Sequence, residues 1–246
     1  MGQRQSPRTV AMSVVASSAL LLAACGSGED NAGGKGFRLA LRQHGDDAVF
    51  VARLRRLQDW QGERLRHTHA HLLDDPVTAE GIRFLLDEVY GGRELLPVAR
   101  EIRRALPKAM KLLPDKVMAT SASALEAAIL TQELDEQITD SLGSELDQPL
   151  TEPTYLKGFR QDHHLDARQR QLQLVAELGH RLDRYIRSRM IQTTFRMVRK
   201  PAHAAGFANL YDFMDRSFRV MKPVPSVGLL LEQLAAREET IMQKVF

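Results

Sequence analysis

A single cysteine, Cys25, stands in the 246 residues, which excludes a disulfide framework and leaves packing to supply stability. Beyond that residue no apolar run approaches the roughly 20 residues a membrane-spanning helix requires. Strand-like alternation is missing, as is a hairpin turn of the Asn-Gly kind, so a β architecture is not expected. No internal repeat is visible. The local signatures of several mechanisms are missing as well: there is no Gly-x-Ser-x-Gly elbow, no phosphate-cradling glycine loop closed by Lys-Ser or Lys-Thr, and no His-Glu-x-x-His. A one-sided charge is also lacking, since 34 Lys and Arg oppose 31 Asp and Glu, and this argues against a nucleic-acid partner.

What is present begins at the N-terminus. Arg4 and Arg8 form a basic end, Val10 to Leu22 an apolar stretch, and Leu22-Ala23-Ala24-Cys25 closes it with small residues. This order is that of a bacterial lipoprotein export signal, with residues 1–24 removed and Cys25 carrying fatty chains such as palmitate. Met1-Gly2 with Ser6 also fits a myristoylation pattern, but that reading leaves the apolar run and the cysteine without a role. Residues 26–36 contain five glycines and almost nothing that can be buried, so 25–46 read as a lipidated cysteine and a flexible tether. The expected location is therefore the cell envelope, anchored to membrane through lipid. Gly26 and Ser27 place no acid directly after the cysteine, which by similarity to enterobacterial sorting favours the outer membrane. Loss of residues 1–24 removes two arginines and no acid, and the formal charge falls from +3 to +1. The alternative is a misassigned start codon ahead of a cytosolic protein.

Residues 47–246 carry the periodicity of an all-α domain, an irregular bundle of six to seven helices. A first helix is expected from about Asp47 to Leu73, with Phe50, Leu54, Leu57, Gln61, Leu65, Thr68 and Leu72 on one face. Thr78 is placed to cap a second, ending at Tyr90-Gly91-Gly92. A third spans about Glu94 to Leu106. A fourth runs from Asp115 to Leu142 and stops at Gly143. Pro149 and Pro153 read as a loop, and a long fifth helix covers about Asp166 to Arg199. Two more follow, near Asn209 to Val220 and Val227 to Val245. Charge comes in blocks: 93–116 is basic, Val117 to Leu156 holds eight acids and no Lys or Arg, and Lys157 to Lys200 is basic again. The fourth helix is thus expected beside the third and fifth, with complementary fields choosing neighbours.

Eight histidines raise a metal or cofactor reading, and His67-Thr68-His69-Ala70-His71 is the densest group. On one continuous helix His67 and His71 share a flank while His69 faces elsewhere, so three ligands do not converge. Such a site would need His163, His164 or a carboxylate such as Asp74 from tertiary contact. Asp87 and Glu88 are adjacent and point apart, which disfavours a proton-sharing pair. Arg189 and Arg196 fall on the apolar side of the fifth helix, where snorkelling is the expected outcome.

Several runs carry a resemblance: Ala52-Arg53-Leu54, Leu57-Gln58-Asp59-Trp60-Gln61 with Arg64-Leu65, Phe84 through Gly91, Leu112-Leu113-Pro114, Glu133-Leu134-Asp135 and Arg237-Glu238-Glu239. The chain resembles an uncharacterised proteobacterial family of α-helical proteins, a domain of unknown function. Similar proteins carry a tyrosine where His69 stands, and the resemblance implies a packing role for His69. It implies one helical domain and no activity. The expected function is a lipid-anchored envelope protein that binds an unidentified protein partner, with no catalytic residue, metal or cofactor assigned; a metal- or cofactor-binding bundle using His67 and His71 is the alternative.

Overall fold

The structure, a computed structural model, describes residues 47–90, 101, 104, 115–161 and 164–246. Cys25, the tether, His163 and Leu112-Leu113-Pro114 lie outside the described residues, as does the expected third helix apart from Glu101 and Arg104. Among the described residues there are ten α-helices, one π-helical turn, one 3-10 turn and no strand. An all-α bundle is what the periodicity predicts; the helix count is higher because two long helices are divided and one short helix stands where a loop is expected.

Helix α1, Ala48–Thr68, starts where the Asp47 carboxylate accepts from the amides of Val49 and Phe50 at 2.9 and 3.1 Å, two donors that have no partner inside the helix. Phe50, Leu54, Leu57 and Gln61 are buried on the expected face. The helix does not continue to Leu73. His69, at φ −111° and ψ 24°, leaves helical geometry, and α2, Ala70–Asp74, resumes after it. Helix α3, Ala79–Phe84, also departs from expectation: the Thr78 hydroxyl does not cap it but donates to the Leu72 carbonyl at 2.7 Å. The chain then widens into a π-helical turn, Leu85–Tyr90.

Helix α4, Asp115–Leu142, ends as expected at Gly143, whose φ of +48° is the left-handed conformation that favours glycine. A 3-10 turn, Gly143–Asp147, leads to α5, Glu152–Gln161. The expected loop is a helix here, because Pro153 occupies the first turn, where an amide proton would have no intrahelical acceptor. Helix α6, Leu165–Arg187, stops at Ser188, whose extended backbone and hydroxyl bonded to the Ile191 amide start α7, Arg189–Met197. Helix α8, Arg199–Ala204, follows, so the expected Asp166 to Arg199 helix is three segments. Helices α9, Ala208–Met221, and α10, Val227–Val245, match the expected last pair within a residue.

The main core lies where α6 packs along α10 and α4. Leu174 and Leu182 of α6 meet Val227 and Leu231 of α10, and Ala124 and Ala127 of α4 close the other side. Each buried leucine of this kind contributes roughly 1.5–3 kcal/mol relative to exposure. A smaller core gathers Leu57, Ile138, Leu142, Leu146 and Tyr155 between α1, α4 and α5. Of the expected charge pairing, α4 against the basic helix after it is seen directly, with Arg170 of α6 holding Glu126 of α4 through two bonds of 2.8 and 3.1 Å.

Gly179 sets the separation of α6 and α10. A Cβ there would lie 2.8 Å from Leu231 Cβ and 3.1 Å from the Val227 carbonyl oxygen, atoms near or in the opposing backbone that cannot swing aside. Gly179→Ala should therefore destabilise by about 1–3 kcal/mol, measured by urea denaturation. Gly228→Ala should cost less, since the group it meets is the half-exposed His180 ring, which can rotate outward. Equal midpoints for Gly179→Ala and the parent chain would rule out this packing.

Candidate functional site

Between the two cores runs a chain of polar side chains drawn from six elements. The position that introduces it is Gln61, the one amide on the apolar face of α1, and it is buried. Its carbonyl oxygen accepts from the Tyr90 hydroxyl, and its amide nitrogen faces the Tyr155 hydroxyl at 3.5 Å. The π-helical turn sets Tyr90 over this amide: five-residue closure shifts its last side chain relative to a regular helix, and such turns recur at functional sites. Trp60 and Phe159 flank Tyr155 at ring distances of 4.5 and 5.6 Å.

Asp135 of α4 sits below, 4% exposed. Burial pushes its carboxyl up to about 6, while hydrogen bonds from Gln58 and Gln61 and the charge of Arg168 pull the other way. The Gln58 bond spans 3.1 Å. Arg168 is itself buried, its guanidinium 3.7 Å over the Phe159 ring, a cation–π contact in a desolvated setting. Burial also raises both phenols, with the Asp135 charge adding to the effect on Tyr90; they stay protonated donors. One turn before Asp135, the Gln132 amide nitrogen donates to Glu136 at 2.6 Å.

At its other end the chain becomes ionic. Arg64 donates to Glu238 of α10 at 2.6 Å, and His69 Nε2 lies 3.0 Å from the second oxygen of the same carboxylate. Burial alone would raise Glu238, but the His69 hydrogen bond and the Arg64 charge outweigh it and leave the carboxyl below its usual range. The ring of His69 is 2% exposed, which is why α1 breaks there: the backbone turns to carry the imidazole inward. Immediately outside is an open pocket lined by His69, His71, Leu72, Gln233 and Arg237.

The residues singled out from sequence separate accordingly. The break at His69 removes the continuous helix on which His67 and His71 would share a flank; both are exposed, while His69 is inside. Asp74 is exposed at the end of α2, the helix that holds His71, and His164 is exposed at the start of α6. Glu177 and His180 have the Glu-x-x-His spacing of di-iron helices, but Glu177 faces Arg181 at 3.3 Å and His180 faces Glu232 at 3.3 Å. Among the described residues no group of three or more His, Cys, Asp or Glu is placed to hold a metal ion. Asp87 pairs with Arg66, and Glu88 with Arg216 at 2.6 Å, so the adjacent acids have separate partners. Arg189 and Arg196 are exposed on a helix of their own. Asp135 and Glu238 were not singled out. The available signal was polar residues at helical spacing on a buried face, Gln58 with Gln61 and Gln132 with Asp135 and Thr139.

A family model described as a domain of unknown function, DUF8198, matches residues 40–246. The chain belongs to this family. No curated protein and no solved structure matches it. Within this DUF8198 domain the sequence runs that carry the resemblance converge: they supply Gln58, Gln61, Arg64, Tyr90, Asp135 and Glu238, residues far apart in the chain that meet in one polar layer.

Because the folded state holds its Asp135 proton more tightly than the unfolded chain, the contribution of Asp135 to stability falls as pH rises from about 4 to about 6 and is level above. Asp135→Asn, which keeps the shape and cannot ionise, should gain on the parent by roughly 2–3 kcal/mol between pH 4 and pH 8. Denaturant midpoints at the two pH values read this. A difference that does not change with pH would place Asp135 in the ordinary carboxylate range.

Proposed function

We propose that the chain is a binding module held at a bacterial envelope membrane by lipid on Cys25, with the tether to residue 46 carrying the helical domain. The anchor half of this reading is supported by the order of parts at the N-terminus, a basic end, an apolar run too short to span and a small-residue site ending in cysteine. Among the described residues no helix is long and apolar enough to cross a membrane.

The observation that carries the binding half is the pocket at the α2 and α10 junction. Two imidazoles, His69 and His71, and the Arg237 guanidinium collect at one mouth beside the apolar Leu72. Behind it Glu238 is already committed to Arg64 and His69, so Arg237 and His71 are left to meet an incoming group. The chemistry suits a partner presenting a carboxylate or phosphate next to an apolar side chain. Asp135, although shifted, does not line this pocket, and it accepts from Gln58 and Gln61 inside the domain.

One envelope fractionation with two variants tests both halves. In membranes washed with high salt, which strips ionic contacts, Cys25→Ser should leave the pellet and appear in the soluble fraction, while Arg237→Glu should remain in the pellet and lose the cross-linked adduct expected of the parent chain. Cys25→Ser that still sediments would remove the anchor; an adduct of undiminished yield from Arg237→Glu would remove the pocket.

A further inference from the structure

A second surface, on the other side of the molecule's chain order, has no role in the pocket or the polar layer. Between Asp183 and Asp212 there is no acidic residue, and six cations, Arg184, Arg187, Arg189, Arg196, Arg199 and Lys200, fall in that interval. Helix α7 lies across it with Phe195 turned inward, stacked on Tyr211 at 4.3 Å and edge-on to Phe218 at 5.2 Å. That fixes which face is out. Met190 and Met197, seven residues and nearly two full turns apart, are therefore aligned on the outer face, and they are 76% and 75% exposed. Arg189 and Arg196 make a parallel row beside them, and Val198, also exposed, continues the apolar line toward Arg199 and Lys200. Of the acids that flank the interval, Asp183 holds Arg187 at 3.0 Å, Asp212 lies 3.0 Å from His203 and Asp215 pairs with Arg219 at 3.0 Å.

We infer that the α7–α8 face is a docking surface for an anionic lipid bilayer, with Met190, Met197 and Val198 entering the headgroup boundary and Arg189, Arg196, Arg199 and Lys200 seated on lipid phosphates. Flexible thioether side chains suit an irregular, fluid surface. A row of arginines flanking exposed apolar residues is the arrangement by which a helix lies in the plane of a membrane interface, and an uninterrupted run of positive charge is complementary to an anionic leaflet. The inference rests on the reading that the protein works at a membrane, and it adds orientation: a lipid on Cys25 fixes only where the chain is held, whereas this face sets which side of the domain meets the bilayer. It does not rest on Cys25 itself.

The test uses the processed chain, residues 25–246 with Cys25→Ser, so that neither lipid nor the apolar leader contributes. It is mixed with vesicles of phosphatidylcholine alone and of phosphatidylcholine with phosphatidylglycerol, and bound protein is measured by flotation. Binding is expected to the anionic vesicles and not to the neutral ones. It should weaken at least tenfold for Met190→Ser/Met197→Ser and at least tenfold for Arg189→Ser/Arg196→Ser, fall with added salt, and stay unchanged for the exposed Lys157→Ser on α5. Because all of these side chains are outside the core, unchanged thermal unfolding is expected for each variant. Equal binding by the parent and both double variants would overturn the inference. So would a concentration-dependent dimer, seen without vesicles and abolished by Met190→Ser/Met197→Ser, in a chain that does not float, since the face would then be covered by a second copy. Flotation of the Cys25→Ser chain, with Cys25 of the native protein found unacylated by mass spectrometry, would remove the anchor and keep this surface; no flotation of the Cys25→Ser chain, with native Cys25 found acylated, would do the reverse.

Discussion

Glu238 is a largely buried carboxylate, its side chain 17% exposed, and the need to keep it paired governs the architecture around it. An ionised group taken out of water is tolerated only when charge and hydrogen bonds replace the solvent. Arg64 supplies the charge from 174 positions earlier in the chain, and His69 supplies a second bond to the other oxygen. Meeting both demands brings the end of α1 against α10, breaks α1 at His69 and redirects α2. The open pocket beside Leu72 is a by-product of that break, since an uninterrupted helix to Leu73 would carry the His69 ring elsewhere.

From this ion set the polar layer extends inward without a gap in function. Tyr90 and Tyr155 feel the Arg64 charge, Gln61 bridges their hydroxyls toward Asp135, and Arg168 balances Asp135 from the far side. The layer separates two apolar cores that pack by different means. One depends on the close approach that Gly179 permits between α6 and α10; the other depends on Leu57, Ile138 and Leu146 filling the space around Tyr155. Polar side chains with defined partners admit fewer alternative packings than leucines do, so the layer selects one arrangement of helices even where its net contribution to stability is small.

Much of this was legible in the sequence, because helical periodicity and end signals are local. Gly143 stops α4, the last two helices fall where they are expected, and the apolar stripe of α1 is buried from Phe50 to Gln61. Three features were not legible. His69 gives no local sign of a break, which its long-range partner Glu238 accompanies; Ser188 is a common N-cap type and caps α7 locally, while Arg187 beside it reaches the Val224 and Pro225 carbonyls. Pro153 looked like a loop residue because proline disrupts a helix interior, yet in a first turn it is at home. Asp135 and Glu238 stand in runs that carry the family resemblance, but nothing local marks either as buried, since their meaning lies in which neighbours enclose them. The charge blocks predicted helix neighbours correctly where they can be followed, between α4 and α6, but they said nothing about which single acids would be buried.

The domain thus combines an inward ion set that shapes a pocket with outward faces on which cations are left available, Arg237 at one and the α7 arginines at the other. The most direct measurement of the central claim is a double-mutant cycle of Arg64→Met and Glu238→Leu, followed by equilibrium unfolding at neutral pH. Each single change strands its partner, so the expected result is a coupling energy on the order of 2 kcal/mol, with the double variant more stable than the two single losses would sum to. Losses that add within about 0.5 kcal/mol would show that Arg64 and Glu238 do not depend on each other, and the account of how α1, α2 and α10 are joined would fail.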